Sequence, residues 1–165
     1  MRARSLRTYL AAPTILEASM NRHIVPMACM AAILLATTAL VSPAVAREPS
    51  PAGAEVYIVS PKDGAKVKSP VTVVFGLKGM GIAPAGIKFD NTGHHHLLVD
   101  TEVPADLSQP LPANEHNIHF GKGQTETSLT LPPGKHTLQL LLADSLHTPH
   151  DPAVISKKIT ITVEK

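Results

Sequence analysis

The chain holds one cysteine, Cys29, no tryptophan and very few other aromatic rings. Cys29 lies inside an apolar run near the N terminus, so removal of that run leaves a domain with no thiol. Such a domain forms no disulfide and has no cysteine nucleophile, and its stability has to come from an apolar core. From Arg47 onward the rings are Tyr57, Phe75, Phe89 and Phe120, too few for a platform that stacks sugars or single-stranded nucleic acid. An excess of positive charge is missing as well. Residues 47–165 carry 11 Lys+Arg against 12 Asp+Glu, a net charge of −1. No basic stripe exists to follow a phosphate backbone, so nucleic acid is not an expected partner. There is no G-x-S-x-G nucleophile elbow and no H-E-x-x-H metalloprotease helix.

The first 46 residues read as an export signal. Arg22 and His23 precede the apolar run Ile24 to Val41, Pro43 breaks it, and Ala44-Val45-Ala46 supplies a small-residue cleavage pattern. Pro26, Thr37 and Thr38 weaken the run as a membrane span, so no stable anchor is expected after cleavage at Ala46. Met20 would make a normal signal start by itself. Cys29 precedes most of the run rather than following it, which argues against lipid attachment. The expected location is the periplasm or the exterior, and the remaining 119 residues suffice for one domain.

Residues 47–54 (REPSPAGA) read as a flexible lead-in. Beyond them the dominant period is two. Val71, Val73, Phe75 and Leu77 alternate with Thr72, Val74 and Gly76, and Ile159, Ile161 and Val163 alternate with Lys158, Thr160 and Thr162. Further strands are expected at 55–59, 95–100, 125–131 and 136–143, with a weaker one near 85–89. No stretch carries a capped helical stripe. About seven short strands predict one all-β domain over residues 55–165, an immunoglobulin-like antiparallel β-sandwich with a jelly roll as the alternative. Pro132-Pro133-Gly134 is expected to turn strand 125–131 into strand 136–143 as a hairpin.

Against these absences stands an abundance of histidine. His94, His95 and His96 form a triplet, His116 and His119 a second set, His147 and His150 a third, with His136 alone. Imidazole is the commonest transition-metal ligand and the side chain that titrates nearest neutral pH. In a strand, His94 and His96 leave one face while His95 leaves the other with Leu97 and Val99. His95 is thus expected inward. The hairpin and an antiparallel pairing of 95–100 with 136–143 bring all three sets to one end, with His136 at the opposite end. The expected ligands are His94, His96, His147 and His150, with His119 and His116 as further candidates. Asp144 is placed to brace the third loop or orient an imidazole, Pro149 and Pro152 stiffen that loop, and Asp100, Glu102, Glu115 and Glu126 are oxygen donors nearby in sequence.

Imidazole with carboxylate suits Cu(II) or Zn(II), and Ni(II) less specifically; with Met80 as the one thioether after the signal, Cu(I) is disfavoured. The competing reading is a hydrogen-bonded histidine network in a cell-envelope interaction module whose partner is another envelope protein. A cupin-like metalloenzyme, using His94, His96, Glu102 and His136, is a third and weaker option. The favoured reading is non-catalytic. The glycine-rich 121–126 (GKGQTE) lacks the strand-loop-helix setting of a phosphate loop and reads as a tight connection.

Several segments resemble the DUF4399 family of exported bacterial domains: GHHHLLVD at 93–100, HFGKGQTE at 119–126, PPGKHTLQLLLAD at 132–144, HTPHDP at 147–152 and VISKKITITV at 154–163. The resemblance covers the domain from about residue 55. It implies a signal-bearing, immunoglobulin-like β domain with no assigned activity, and it carries no catalytic residue to this chain.

Overall fold

A computed structural model describes residues 46–165. The expected signal peptide, apart from Ala46, lies outside the described residues. Nine strands and no helix make the described part all-β: β1 (Glu55–Ser60), β2 (Lys66–Lys68), β3 (Val71–Lys78), β4 (Gly81–Ile82), β5 (Thr92–Val99), β6 (Asn117–His119), β7 (Glu126–Leu129), β8 (Gly134–Ala143) and β9 (Ile159–Glu164). One sheet has the order β1-β3-β7; the other has the order β2-β9-β8-β5-β4, with β6 also paired to β5. No helix of the described residues is long and apolar enough to cross a membrane.

Alternation decides how the sheets meet. Val71, Val73 and Phe75 of β3 turn inward to meet Leu97 and Val99 of β5, Leu138, Leu140 and Leu142 of β8, and Ile161 and Val163 of β9 in one core. The larger sheet is covered on its other face too. Leu141 and Ala143 of β8 pack there with Leu107 and Leu111 of the long β5–β6 connection and with Ile155. Every residue of β5 after Thr92 is therefore buried, including all three triplet histidines.

Three expectations need correction. The hairpin across Pro132-Pro133-Gly134 does not form: β7 pairs with β3, while β8 pairs with β5 and β9. β8 is buried on both faces from Leu140 to Ala143 and has a neighbour on each side, so it has no edge free for β7. Residues 85–89 are not a strand; Ile87 and Phe89 project from a loop, 56% and 73% exposed. The lead-in expected to be flexible is pinned at its start. The Arg47 guanidinium donates to the carbonyl oxygens of Pro149 and His150, and Ser50 N–H and Asp151 N–H exchange bonds with Asp151 O and Glu48 O.

Candidate metal site

β5 delivers the first two rings of the site. Period two places His94 and His96 on the outer face of the larger sheet, while His95 enters the core edge-on to Phe75, with ring centroids 5.1 Å apart. β6 brings the third. Its register sets His119 directly opposite His96, and opposed residues of an antiparallel pair share a face. The turn after β8 brings the fourth, because His94 pairs with Ala143 at the end of that strand and the chain then folds His147 back toward β5.

That turn is built around Asp144. Its Oδ1 accepts the N–H groups of Leu146 (2.8 Å) and Thr148 (2.9 Å). The Asp144 N–H donates to Thr148 O, and the His147 N–H donates to Asp144 O. His147 itself has φ of 69°, a left-handed conformation unusual for a residue with a side chain, and its carbonyl accepts Leu111 N–H. A carboxylate that satisfies two turn amides offsets the cost of that backbone.

Four imidazoles consequently meet. Ring centroids lie 5.2 Å apart for His94–His96, 4.9 Å for His94–His119, 5.1 Å for His94–His147, 5.0 Å for His96–His119 and 4.8 Å for His119–His147; His96–His147 is wider, 6.3 Å. One ring nitrogen each from His94, His119 and His147 lie within 4.8 Å of one another, a group that could hold a metal ion. His94 and His96 are buried, whereas His119 and His147 are half-buried.

The nitrogens in this cluster are short of partners. Nε2 of His94, His96 and His119 is buried and has no hydrogen-bond partner among the described residues. His96 Nδ1 donates to Asn117 Oδ1 at 2.9 Å, which leaves the lone pair of the neutral ring on Nε2. Asn117 is in turn held through its N–H by Asn114 Oδ1. Burial, and then repulsion from His96, His119 and His147, pushes His94 down to about 3. Burial likewise lowers His95 and His96 to about 4, in His96 against the opposing effect of Asn117. His119 is lowered by burial and by His147. At neutral pH, His94, His95, His96 and His119 are uncharged, the state in which an imidazole can donate a lone pair to a metal.

Two expected ligands stand apart. His150 is buried, but its Nε2 donates to Thr92 O at 3.2 Å and its Cε1 packs over Gly93, where a Cβ would come within 3.0 Å. It fastens the start of β5. His116 Nδ1 donates to Val99 O at 3.0 Å, at the opposite end of β5 from His94. His136 lies in that opposite region as expected, with Nδ1 on Asp100 Oδ2 (2.7 Å) and Nε2 on Pro132 O (2.9 Å). Both nitrogens face acceptors, and the Asp100 carboxylate raises its pKa. The candidate oxygen donors do not join the cluster either. Asp100 holds His136 and the Thr137 N–H, Glu102 holds Lys158, and Glu115 lies 3.8 Å from His116.

Gly121 went unnoticed in the sequence. A Cβ there would fall 2.2 Å from His119 Cε1 and 2.4 Å from its Nε2, so only glycine leaves that ring its place in the cluster. Its conformation gives no hint, since the requirement is steric and lies across space.

Fold and site together define an all-β domain with a partly buried histidine group that could hold a metal ion. A family model described as "Domain of unknown function (DUF4399)" matches residues 73–164, and the chain belongs to that family. No curated protein and no solved structure matches it.

Proposed function

We propose that this is an exported, non-catalytic domain of the periplasm or cell exterior that binds one Cu(II) or Zn(II) ion through His94, His96, His119 and His147. The observation that carries this reading is convergence: His94, His119 and His147 each offer a ring nitrogen within 4.8 Å of the others, and His96 packs against the same rings. His116 and His136 stand apart from it and are hydrogen-bonded to backbone carbonyls or to a carboxylate, as a structural network requires. In the cluster, Nε2 of His94, His96 and His119 has no such partner among the described residues, although leaving a buried polar group unpaired costs about 1–3 kcal/mol. A shared cation would satisfy all of them at once.

The spacing supports the same reading. Imidazoles bound through nitrogen at about 2.0–2.1 Å place their ring centres about 3.2 Å from the ion, and so about 5.2 Å apart in a tetrahedron. Five of the six separations fall between 4.8 and 5.2 Å. The sixth, 6.3 Å between His96 and His147, flattens the arrangement in a direction that Cu(II) tolerates better than Zn(II). Drawing the His94, His119 and His147 nitrogens, all within 4.8 Å of one another, onto one ion requires each to move in by at most about 0.8 Å.

The test is metal analysis of untagged protein, followed by titration with Cu(II) and Zn(II). One ion per chain is expected, with nitrogen hyperfine structure from imidazole in the Cu(II) electron paramagnetic resonance spectrum. A spectrum with no imidazole nitrogen overturns the reading.

A further inference from the structure

A second place in the molecule has largely buried polar side chains with hydrogen-bonding capacity to spare. A cavity of about 290 Å³ lies beside the 144–148 turn, lined by Glu48, Lys88, Asp90, Asp144 and His150 among others. Lys88 Nζ is paired with Glu48 Oε1 at 2.5 Å, which leaves the Asp90 and Asp144 carboxylates as uncompensated negative charge.

Asp144 is only 5% exposed. Its Oδ1 is committed to the turn, its Oδ2 makes no hydrogen bond among the described residues, and the residue lines the cavity. His150 is 2% exposed, and its Nδ1 is also without a partner. Because His150 Nε2–H donates to Thr92 O, Nδ1 of the neutral ring carries the lone pair. The His150 nitrogen is sealed from the cavity, so the group left to a ligand is the anionic Asp144 carboxylate, and the complementary ligand is a cation that brings N–H donors.

Size and spacing decide between a metal ion and an organic cation. No carboxylate belongs to a group close enough to hold an ion among the described residues; that description fits only the histidine cluster. A volume of 290 Å³ corresponds to about ten waters at about 30 Å³ each, far more than one ion fills. The apolar side chains of Ile87 and Phe89 also line the cavity and are largely exposed, offering a surface for an apolar group and a ring face for a cation. We propose that this cavity binds a small organic ammonium ion with an apolar body, the ammonium at Asp144 Oδ2 and the body against Ile87 and Phe89.

The test follows backbone amide NMR shifts in chelator-treated protein titrated with phenethylammonium, its neutral counterpart 2-phenylethanol, and the anion phenylacetate. The ammonium should give saturable shifts in residues 87–92 and 144–150, weakened by added salt. D144N keeps an oxygen for the Leu146 and Thr148 amides, so the turn persists while the charge at the cavity is lost, and binding should weaken about fivefold. K88A removes the competing cation and frees Glu48, so binding should tighten about twofold. Equal response to 2-phenylethanol, preference for phenylacetate, absence of saturable shifts, or D144N binding like the parent overturns the proposal. Because metal is absent throughout, this site and the histidine site stand or fall separately.

Discussion

Lowering the pH from 7 to 5 should unfold the metal-free domain, and the buried imidazoles set the magnitude. In the unfolded chain each histidine titrates near 6.5. In the fold His94 is held at about 3, and His95 and His96 at about 4. Between these limits the unfolded chain binds more protons than the folded one, so stability falls as pH falls, by about 1.4 kcal/mol per pH unit for each ring. From 6.5 to 5 that amounts to about 2 kcal/mol per ring and about 6 kcal/mol for the three, comparable to the whole stability of a typical domain at about 5–15 kcal/mol. The lowered His119 acts in the same direction. His136, raised by Asp100, acts oppositely: its contribution is complete below 6.5 and is lost as pH rises through its folded value. One group of that sign cannot offset three or four of the other. Urea denaturation at half-unit steps from pH 7.5 to 4.5, in chelator, gives the slope directly. A stability that is flat or rises on acidification would show that these rings are not held neutral by burial.

Further outcomes follow from individual contacts. His95→Leu should raise stability by about 1–2 kcal/mol, read as a higher Tm, because His95 Nδ1 and Nε2 are buried without partners in an apolar core. It should also remove about a third of the acid slope. Asp144→Ala should cost about 1–3 kcal/mol by leaving the Leu146 and Thr148 amides unpaired and should loosen Cu(II) binding through His147, while Asp144→Asn should preserve both. Calorimetry and copper titration of the two variants check this. Gly121→Ala should leave the circular dichroism spectrum unchanged yet weaken metal binding at least tenfold, because the methyl group displaces the His119 ring.

Period two carried much of the fold to the reader of the sequence. It marked β3 and β9, and at β5 it separated inward His95 from outward His94 and His96. It could not say which sheet a strand joins, and that is where the hairpin reading failed. The clue lay in LLLA at 140–143, whose unbroken apolar run belongs to a strand covered on both faces and paired on both sides. The route by which His119 meets the triplet was therefore misread: it arrives by lying opposite His96 in a three-residue strand too short to signal itself. His150 lies outside the four-ring cluster, and sequence spacing cannot distinguish a ring aimed at the cluster from one folded onto Gly93. Gly121 and the position of Asn117 behind His96 depend on contacts across space and leave no local pattern.

Isothermal titration of chelator-treated, untagged protein with Cu(II), alongside its His94→Ala/His147→Ala variant, tests the central claim most directly. The parent should bind one ion per chain, and the variant should remain folded with affinity reduced at least 100-fold. Equal binding by both proteins, or a variant that loses its fold while the parent binds nothing, would contradict the account.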